Sequence, residues 1–374
     1  MEGALGGPMG NLPKNPEGTS DLSGCYRLPA SWPHPASFMW WNGQYYTMGP
    51  REITYSRNVF IPLTTVCRNR CDYCGFRTPV QEGCILPPGD VEKILHHGSA
   101  MGCTEALFTF GERPEVEPGF SAMLSAIGYG TILDYCYEMC RRALLSGLLP
   151  HTNAGVLTYQ EMDRLREVNA SMGLMLETVA EVPAHRNSPG KRPEERIRMI
   201  EDAGRLRIPF TTGILVGIGE TMGDREESFM LIRDLHRRYG HIQEVIIQNF
   251  CPKEATPMAR TPVPSTDEMC ITIQLAREIL PPEVAVQIPP NLIDASALIP
   301  CGVDDLGGVS QVTPDYINPE HPWPGIEELK KVAGDALLVE RLCIYPRFIE
   351  LGWYHPSIEG LIKRLEQQIS EGRR

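Results

Sequence analysis

From Asn58 to about residue 300 the chain alternates short apolar runs with amphipathic stretches of roughly ten to seventeen residues, and no other feature narrows the fold so far. Short apolar runs bounded by turn residues read as buried strands, and each amphipathic stretch can carry the chain back along one face of a parallel sheet. Strands are expected at 59–64, 105–109, 149–153, 172–176, 210–216 and 244–248, with weaker ones near 284–288 and 297–300. Helices are expected at 88–98, 131–147, 158–168, 193–205, 224–239 and 266–280, several opening on an acceptable cap such as Thr158, Asp224 or Ser265. Six to eight such units run on without a break in composition. That favours closure into an α/β (βα) barrel of the TIM type, full or partial, over an open doubly wound sheet.

The flanks read differently. Residues 1–50 are rich in Gly, Pro, Asn and Ser and are expected to be a largely disordered N-terminal extension, with Met39, Trp40, Trp41, Tyr45 and Tyr46 as a docking segment. The barrel domain is placed at 51–320, and 321–374, with helices near 326–333 and 357–371, is expected to form a C-terminal cover. A net charge of −12 argues against nucleic acid or an anionic membrane as partner, since both demand a concentrated positive field. A small-molecule substrate becomes the default. The lack of a long apolar run, and of a basic-then-apolar N-terminus, points to a cytoplasmic protein. Twelve Cys spread over the chain read as reduced thiols or metal ligands rather than disulfides.

Three of these thiols carry the chemistry. Cys67, Cys71 and Cys74 stand in a C-x3-C-x2-C run just after the first expected strand, at the end of a barrel strand where such enzymes place their active sites. Soft sulfur ligands on one short loop suit an iron–sulfur cluster, and three of them leave one iron open to a reactive ligand. Arg68, Arg70 and Arg77 flank the loop and are expected to offset thiolate charge and depress the thiol pKa values. A zinc knuckle or three unrelated thiols is the plainer alternative. The run resembles the signature of the radical S-adenosylmethionine superfamily. That resemblance implies that the three Cys hold a [4Fe-4S] cluster whose fourth iron is chelated by S-adenosylmethionine, with Tyr73, the aromatic just before the third Cys, beside the cosubstrate.

Other motifs fall in the order this superfamily would give them. Gly111-Glu112 follows the second strand where relatives meet the cosubstrate's amino group, although Phe110 replaces the usual first Gly. Glu177 ends the fourth strand, where the resemblance implies a polar residue near the ribose or methionine portion. Gly213 and Gly217 belong to a G-x-I-x-G-x-x-E pattern at the fifth strand, which contacts adenine in relatives. Cys136 and Cys140 share a helix face with Leu133, Tyr137 and Leu144 and read as packing.

A narrower resemblance runs over about residues 55–350. It is carried by Phe60–Cys71, Thr109–Glu115, Pro150–Gly155, Asn187–Pro193 and Gly307–Pro319, and it is to the 7,8-didemethyl-8-hydroxy-5-deazariboflavin synthase family. The family implies a radical lyase and cyclase that converts 5-amino-5-(4-hydroxybenzyl)-6-(D-ribitylimino)-5,6-dihydrouracil to the deazaflavin, releasing ammonia, methionine and 5′-deoxyadenosine. It also implies a partner radical enzyme that supplies this adduct and an electron donor such as ferredoxin or flavodoxin. Asn153, Gln248 and Asn249, at strand ends, are then expected to hold the ribityl and uracil groups, and His151 to serve as acid/base because His titrates near neutrality. Two alternatives stay open: the partner enzyme that makes the adduct, and a non-catalytic iron–sulfur protein using Cys84 as fourth ligand.

Overall fold

A computed structural model describes residues 38–41, 44–47 and 51–372. Two compact units are distinguished, Met1–Gly49 and Pro50–Arg374. In the first, β1 (Phe38–Trp41) and β2 (Gln44–Thr47) pair antiparallel. Most of the extension expected to be disordered lies outside the described residues.

The second unit is a full barrel. Strands β3 (Glu52–Ile61), β4 (Glu105–Thr109), β5 (Leu149–Asn153), β6 (Ser171–Gly173), β7 (Phe210–Val216), β8 (Ile242–Asn249), β9 (Ala285–Gln287) and β10 (Asp305–Val309) pair in chain order, all parallel. β10 pairs back onto β3 and closes the ring. A ninth strand, β11 (Leu337–Glu340), runs parallel to the first half of β3, pairing Leu337 with Glu52 and Glu340 with Tyr55. The two halves of β3 are thus used separately, since its pairing with β4 begins only at Asn58.

Helices α1 (Pro88–Ala100), α2 (Phe120–Ala126), α3 (Ile132–Leu145), α4 (Tyr159–Leu165), α5 (Pro193–Arg205), α6 (Met222–Tyr239), α7 (Thr266–Ile279) and α8 (Ala295–Leu298) lie between strands. α9 (Ile326–Ala333), α10 (Pro346–Glu350) and α11 (Glu359–Gly372) follow the ring. Each outer helix turns one apolar stripe inward. α3 buries Ile132, Tyr135, Cys136, Met139, Cys140 and Ala143, a three-and-four spacing that places both thiols in the core. Thr158 caps α4 through a reciprocal box with Glu161, and Ser265 caps α7. The cap of α6 is Thr221, three residues before the expected Asp224, which instead completes the box from inside the helix.

Three expectations are corrected. The segment 297–300 is helical: Asp294 caps α8 through Ser296 N–H, and Pro300 suits the short 3₁₀ turn that follows. The eighth strand lies at Asp305–Val309, hidden in the sequence by Gly307-Gly308. Cys270 and Cys301 form a disulfide, with Cα atoms 5.4 Å apart, although every thiol was expected to be reduced or a ligand. Near the C-terminus, Leu342, Ile344, Phe348, Ile358 and Ile362 pack with Leu149 at the start of β5 and Ala170 just before β6, closing the foot of the barrel. Among the described residues no helix is long and apolar enough to cross a membrane.

Candidate active site

The loop after β3 presents Cys67, Cys71 and Cys74, all half-buried. Backbone N–H groups of Asn69 and Glu112 point at Cys67 Sγ from 3.4 and 3.2 Å, and Ser188 Oγ donates to Cys71 Sγ at 3.3 Å. The loop is docked on the segment after β6: Arg70 N–H donates to the Asn187 carbonyl, Asp72 N–H to the Ala184 carbonyl, and Gly190 N–H to Asn69 Oδ1. Among the described residues no three His, Cys, Asp or Glu side chains gather tightly around one point as a single ion requires. The fit to an iron–sulfur cluster therefore rests on the donor set, three sulfurs on one loop met by N–H and O–H donors of the kind that stabilise cluster-bound thiolates. Cys84 is exposed.

The flanking arginines do not act on the thiols as expected. Arg68 donates to Glu112 at 2.7 Å, and Arg70 and Arg77 each lie 3.9 Å from Glu117. Burial pushes the Cys67 thiol up to about 11. It also raises Cys71, against the pull of the Lys191 cation.

Glu112 is a joint between four loops. Its carboxylate, 4% exposed, accepts from Arg68 and from Val156 N–H at 3.0 Å and lies 4.0 Å from Arg196. Glycines make its space: a Cβ on Gly190 would stand 1.7 Å from Glu112 Oε1, and one on Gly155 2.4 Å from its Cγ. Gly111 serves the same packing, because a Cβ there would lie 1.9 Å from the Val66 carbonyl oxygen. Glu177 is held by backbone bonds to Gly213 and Leu215 and adopts a left-handed φ of 69°, uncommon outside glycine. Its buried carboxylate pairs with Lys191 and, at 3.4 Å, with Arg196. Burial alone would raise it, but the two cations outweigh burial and hold it below the usual range. Tyr73 Oη shares a 3.0 Å hydrogen bond with His185 Nε2, and burial carries the phenol well above its ordinary value. Gly213 permits β7 and β8 to touch, since a Cβ would meet the Ile246 carbonyl oxygen at 2.2 Å. Gly217, at φ 98°, turns its N–H to Glu220 Oε1 at 2.8 Å.

Inside the barrel lies a cavity of about 210 Å³. His151, Asn153 and Gln248 line it; Asn249 does not, and its amide instead donates to the Leu292 carbonyl at 3.1 Å. Ser171 Oγ–H donates to the Cys343 carbonyl at 2.6 Å, so it must accept from His151 Nδ1–H at 2.7 Å, which leaves the imidazole lone pair on Nε2. Burial, reinforced by nearby Arg341, lowers His151 to about 3, so the ring stays neutral rather than titrating near neutrality as expected.

The chain's likeness to known proteins agrees with this geometry. Residues 61–232 match the radical SAM superfamily model. Proteins named 7,8-didemethyl-8-hydroxy-5-deazariboflavin synthase from Methanoregula boonei and Archaeoglobus fulgidus are 66% and 56% identical to it, over 87% and 83% of this chain and 99% and 96% of their own lengths. The chain belongs to the 7,8-didemethyl-8-hydroxy-5-deazariboflavin synthase family. Radical SAM proteins in general carry a [4Fe-4S] cluster and S-adenosylmethionine. In fold, the chain is similar to the FeFe-hydrogenase maturase HydG from Carboxydothermus hydrogenoformans, with a TM-score of 0.61 and 19% identity over 85% of this chain and 77% of that one. Methylornithine synthase (PylB) gives 0.55 and 16% over 85% and 82%.

In this deazariboflavin synthase family member, most of the cavity wall is built from residues that no sequence motif marks. At the foot, Arg341 donates to both oxygens of Asp305 at 2.6 and 2.7 Å and to Glu244 at 2.7 Å, and Ser56 donates to Glu105 at 2.5 Å. Higher up, Asn58 has neither side-chain atom paired, and Gln287 Oε1, Asn291 Oδ1 and Trp323 Nε1 are likewise buried without a partner. Polar residues in otherwise apolar strand runs, such as Asn58 before Val59–Ile61 and Glu244 before Val245–Ile247, were the available signal.

Proposed function

We propose that this chain closes the deazaflavin ring, converting the 4-hydroxybenzyl–ribityluracil adduct to 7,8-didemethyl-8-hydroxy-5-deazariboflavin with loss of ammonia. The observation that carries the reading is the two-thirds identity to synthases of that name over nearly their whole lengths. The cavity within the ring of strands that carries the cysteine loop, with polar side chains set into a mainly apolar wall, supports it. Cys67, Cys71 and Cys74 would hold a [4Fe-4S] cluster, and Tyr73, Glu177, Gly213 and Gly217 would border S-adenosylmethionine. When bound, these two groups supply the 5′-deoxyadenosyl radical that takes hydrogen from the adduct.

The chain's own residues hold and shield. Glu112 and Gly111 lock the cysteine loop to its neighbours, so the substrate meets a fixed geometry. Asn153 and Gln248 present amides to a uracil edge, and Asn249 holds Leu292, which lines the same cavity. Neutral His151 offers Nε2 as a hydrogen-bond acceptor to the substrate while Ser171 keeps Nδ1–H oriented. A partner radical enzyme supplies the adduct, a ferredoxin- or flavodoxin-like protein supplies electrons, and the reaction takes place in the cytoplasm.

The test is an anaerobic assay with reductant, S-adenosylmethionine and the adduct. Ammonia, methionine, 5′-deoxyadenosine and the fluorescent chromophore are expected, and none of the chromophore from free tyrosine and 5-amino-6-(D-ribitylamino)uracil. Unaided consumption of tyrosine with release of the adduct would make this chain the partner enzyme instead.

A further inference from the structure

We infer that the barrel foot is a polyol subsite, which takes the D-ribityl chain of the substrate and leaves the ring system at the mouth; this rests on the function proposed above. The first ground is chemical. Bonds change only in the hydroxybenzyl and uracil portions, which must stand near the cysteine loop at the C-terminal ends of the strands. The ribityl chain enters the product unchanged and is free to lie deepest.

The second ground is the wall it would meet. Each ribityl hydroxyl both donates and accepts, so its subsite needs acceptors and donors interleaved around a narrow space. Ser56 and Thr211 line the cavity with their hydroxyl protons committed to Glu105 and Glu244, at 2.5 and 2.7 Å, so their oxygens face the space as acceptors. Above them Asn58, fully buried, offers an unpaired donor and an unpaired acceptor, and Gln287, 8% exposed, an unpaired acceptor. Buried polar groups without partners carry a desolvation cost that a bound hydroxyl relieves. The same foot suits no anion, because Glu105, Glu244 and Asp305 face a single guanidinium, that of Arg341.

The third ground is the glycine pair of β10. A Cβ on Gly308 would stand 2.3 Å from Asn58 Nδ2, and one on Gly307 2.2 Å from Gln287 Nε2. Bare backbone at these two positions lets both amides reach into the barrel, which gives the Gly307-Gly308 step a role in recognition as well as in closing the ring.

The experiment compares the ribityl adduct with an analogue carrying a pentyl chain in its place, in steady-state assays of wild type and Gln287→Met, with iron content and circular dichroism as fold controls. Wild type should show a KM about a hundredfold higher for the pentyl analogue, as loss of two or more buried hydrogen bonds implies. Gln287→Met should raise the KM for the ribityl substrate about tenfold and leave that for the analogue unmoved. Equal wild-type KM values for the two substrates would overturn the polyol subsite while leaving ring closure intact. A Gln287→Met effect of equal size on both would overturn it too, by showing a merely structural role. Absence of any turnover of the ribityl adduct by wild type would remove the proposed function itself, and the subsite with it.

Discussion

At the mouth of the barrel, Glu112 and Glu177 each meet cations, Arg68 and Arg196 for the first, Lys191 and Arg196 for the second. At the foot of the same barrel, Glu105, Glu244 and Asp305 crowd around Arg341, and above them both amide atoms of Asn58 and Gln287 Oε1 lack a protein partner. The two regions differ in what their buried polar groups leave unpaired. Mouth carboxylates tie loops together, and their oxygens are already taken by the protein. Foot carboxylates are likewise engaged, by Arg341, Thr211, Tyr345 and Ser56, whereas Asn58 and Gln287 on the wall above keep hydrogen-bonding capacity that a ligand can use. A buried carboxylate beside a candidate cofactor is thus not by that fact a contact to the cofactor. Glu112 stands next to Cys67, yet its carboxylate serves Arg68 and Val156.

The sharpest way to test the mouth is to remove its sulfurs. Cys67→Ala, Cys71→Ala and Cys74→Ala should each abolish the visible absorption of the reconstituted protein and all 5′-deoxyadenosine formation, because the other thiol of the β3–α1 connection, Cys84, is exposed and lacks their spacing. Cys84→Ala should keep both. A Cys84→Ala protein without the chromophore, beside a triplet variant that keeps it, would move the cluster to other ligands. Next in size is Glu112→Gln, which leaves Arg68 and Arg196 facing a neutral amide in a nearly closed site. Breaking a buried pair costs about 3–5 kcal/mol, and partial exposure of Arg68 puts this one near the lower end. An unfolding free energy in urea lowered by that amount, with lowered iron content, is expected. An unchanged free energy would reduce the joint to packing.

The mouth was the legible part of the sequence because its residues are close together in it. Cys67, Cys71 and Cys74 fall within eight positions, and Gly111-Glu112 is a dipeptide. The foot gathers Ser56, Glu105, Glu244, Asp305 and Arg341, about one residue per strand and nearly three hundred positions from first to last, so no local pattern could reveal it. Arg341 illustrates the difficulty. It follows β11, a strand that forms only because the first half of β3 has a free edge there, and nothing near Leu337 announces that edge. The barrel itself was readable from periodicity wherever strands were long. It failed where glycine thinned the apolar signal, at β10, and where the apolar run Ala297–Ile299 belonged to a helix end. His151 is legible by position, but its environment is not, since the Ser171 contact comes from β6 and the Arg341 charge from the segment after β11.

The smallest effect sharpens the contrast between carboxylates that are lowered and carboxylates that are raised. Burial pushes Glu105 up from an ordinary 4.5 to about 7; its neighbours Glu244 and Asp305 add to that rise, while the Ser56 hydrogen bond and the Arg341 charge oppose it. The folded protein then holds a proton that the unfolded chain releases above about pH 4.5, so stability is fully present below that value and falls as pH rises toward 7. At about 1.4 kcal/mol per pH unit the loss amounts to roughly 3 kcal/mol. Glu244 is also raised, by burial first, and contributes a slope of the same sign. Glu177 at the mouth is lowered by Lys191 and Arg196, and its contribution has the opposite sign, lost on acidification. Glu105→Gln imitates the protonated side chain at every pH. It should match wild type in urea at pH 5, exceed it by a few kcal/mol at pH 8, and leave only the shallower slope that Glu244 provides. A variant that is less stable than wild type at pH 8 would mean that the folded barrel favours the ionised form of Glu105 over the protonated one, and the foot would then resemble the mouth, with its charges fully matched by cations.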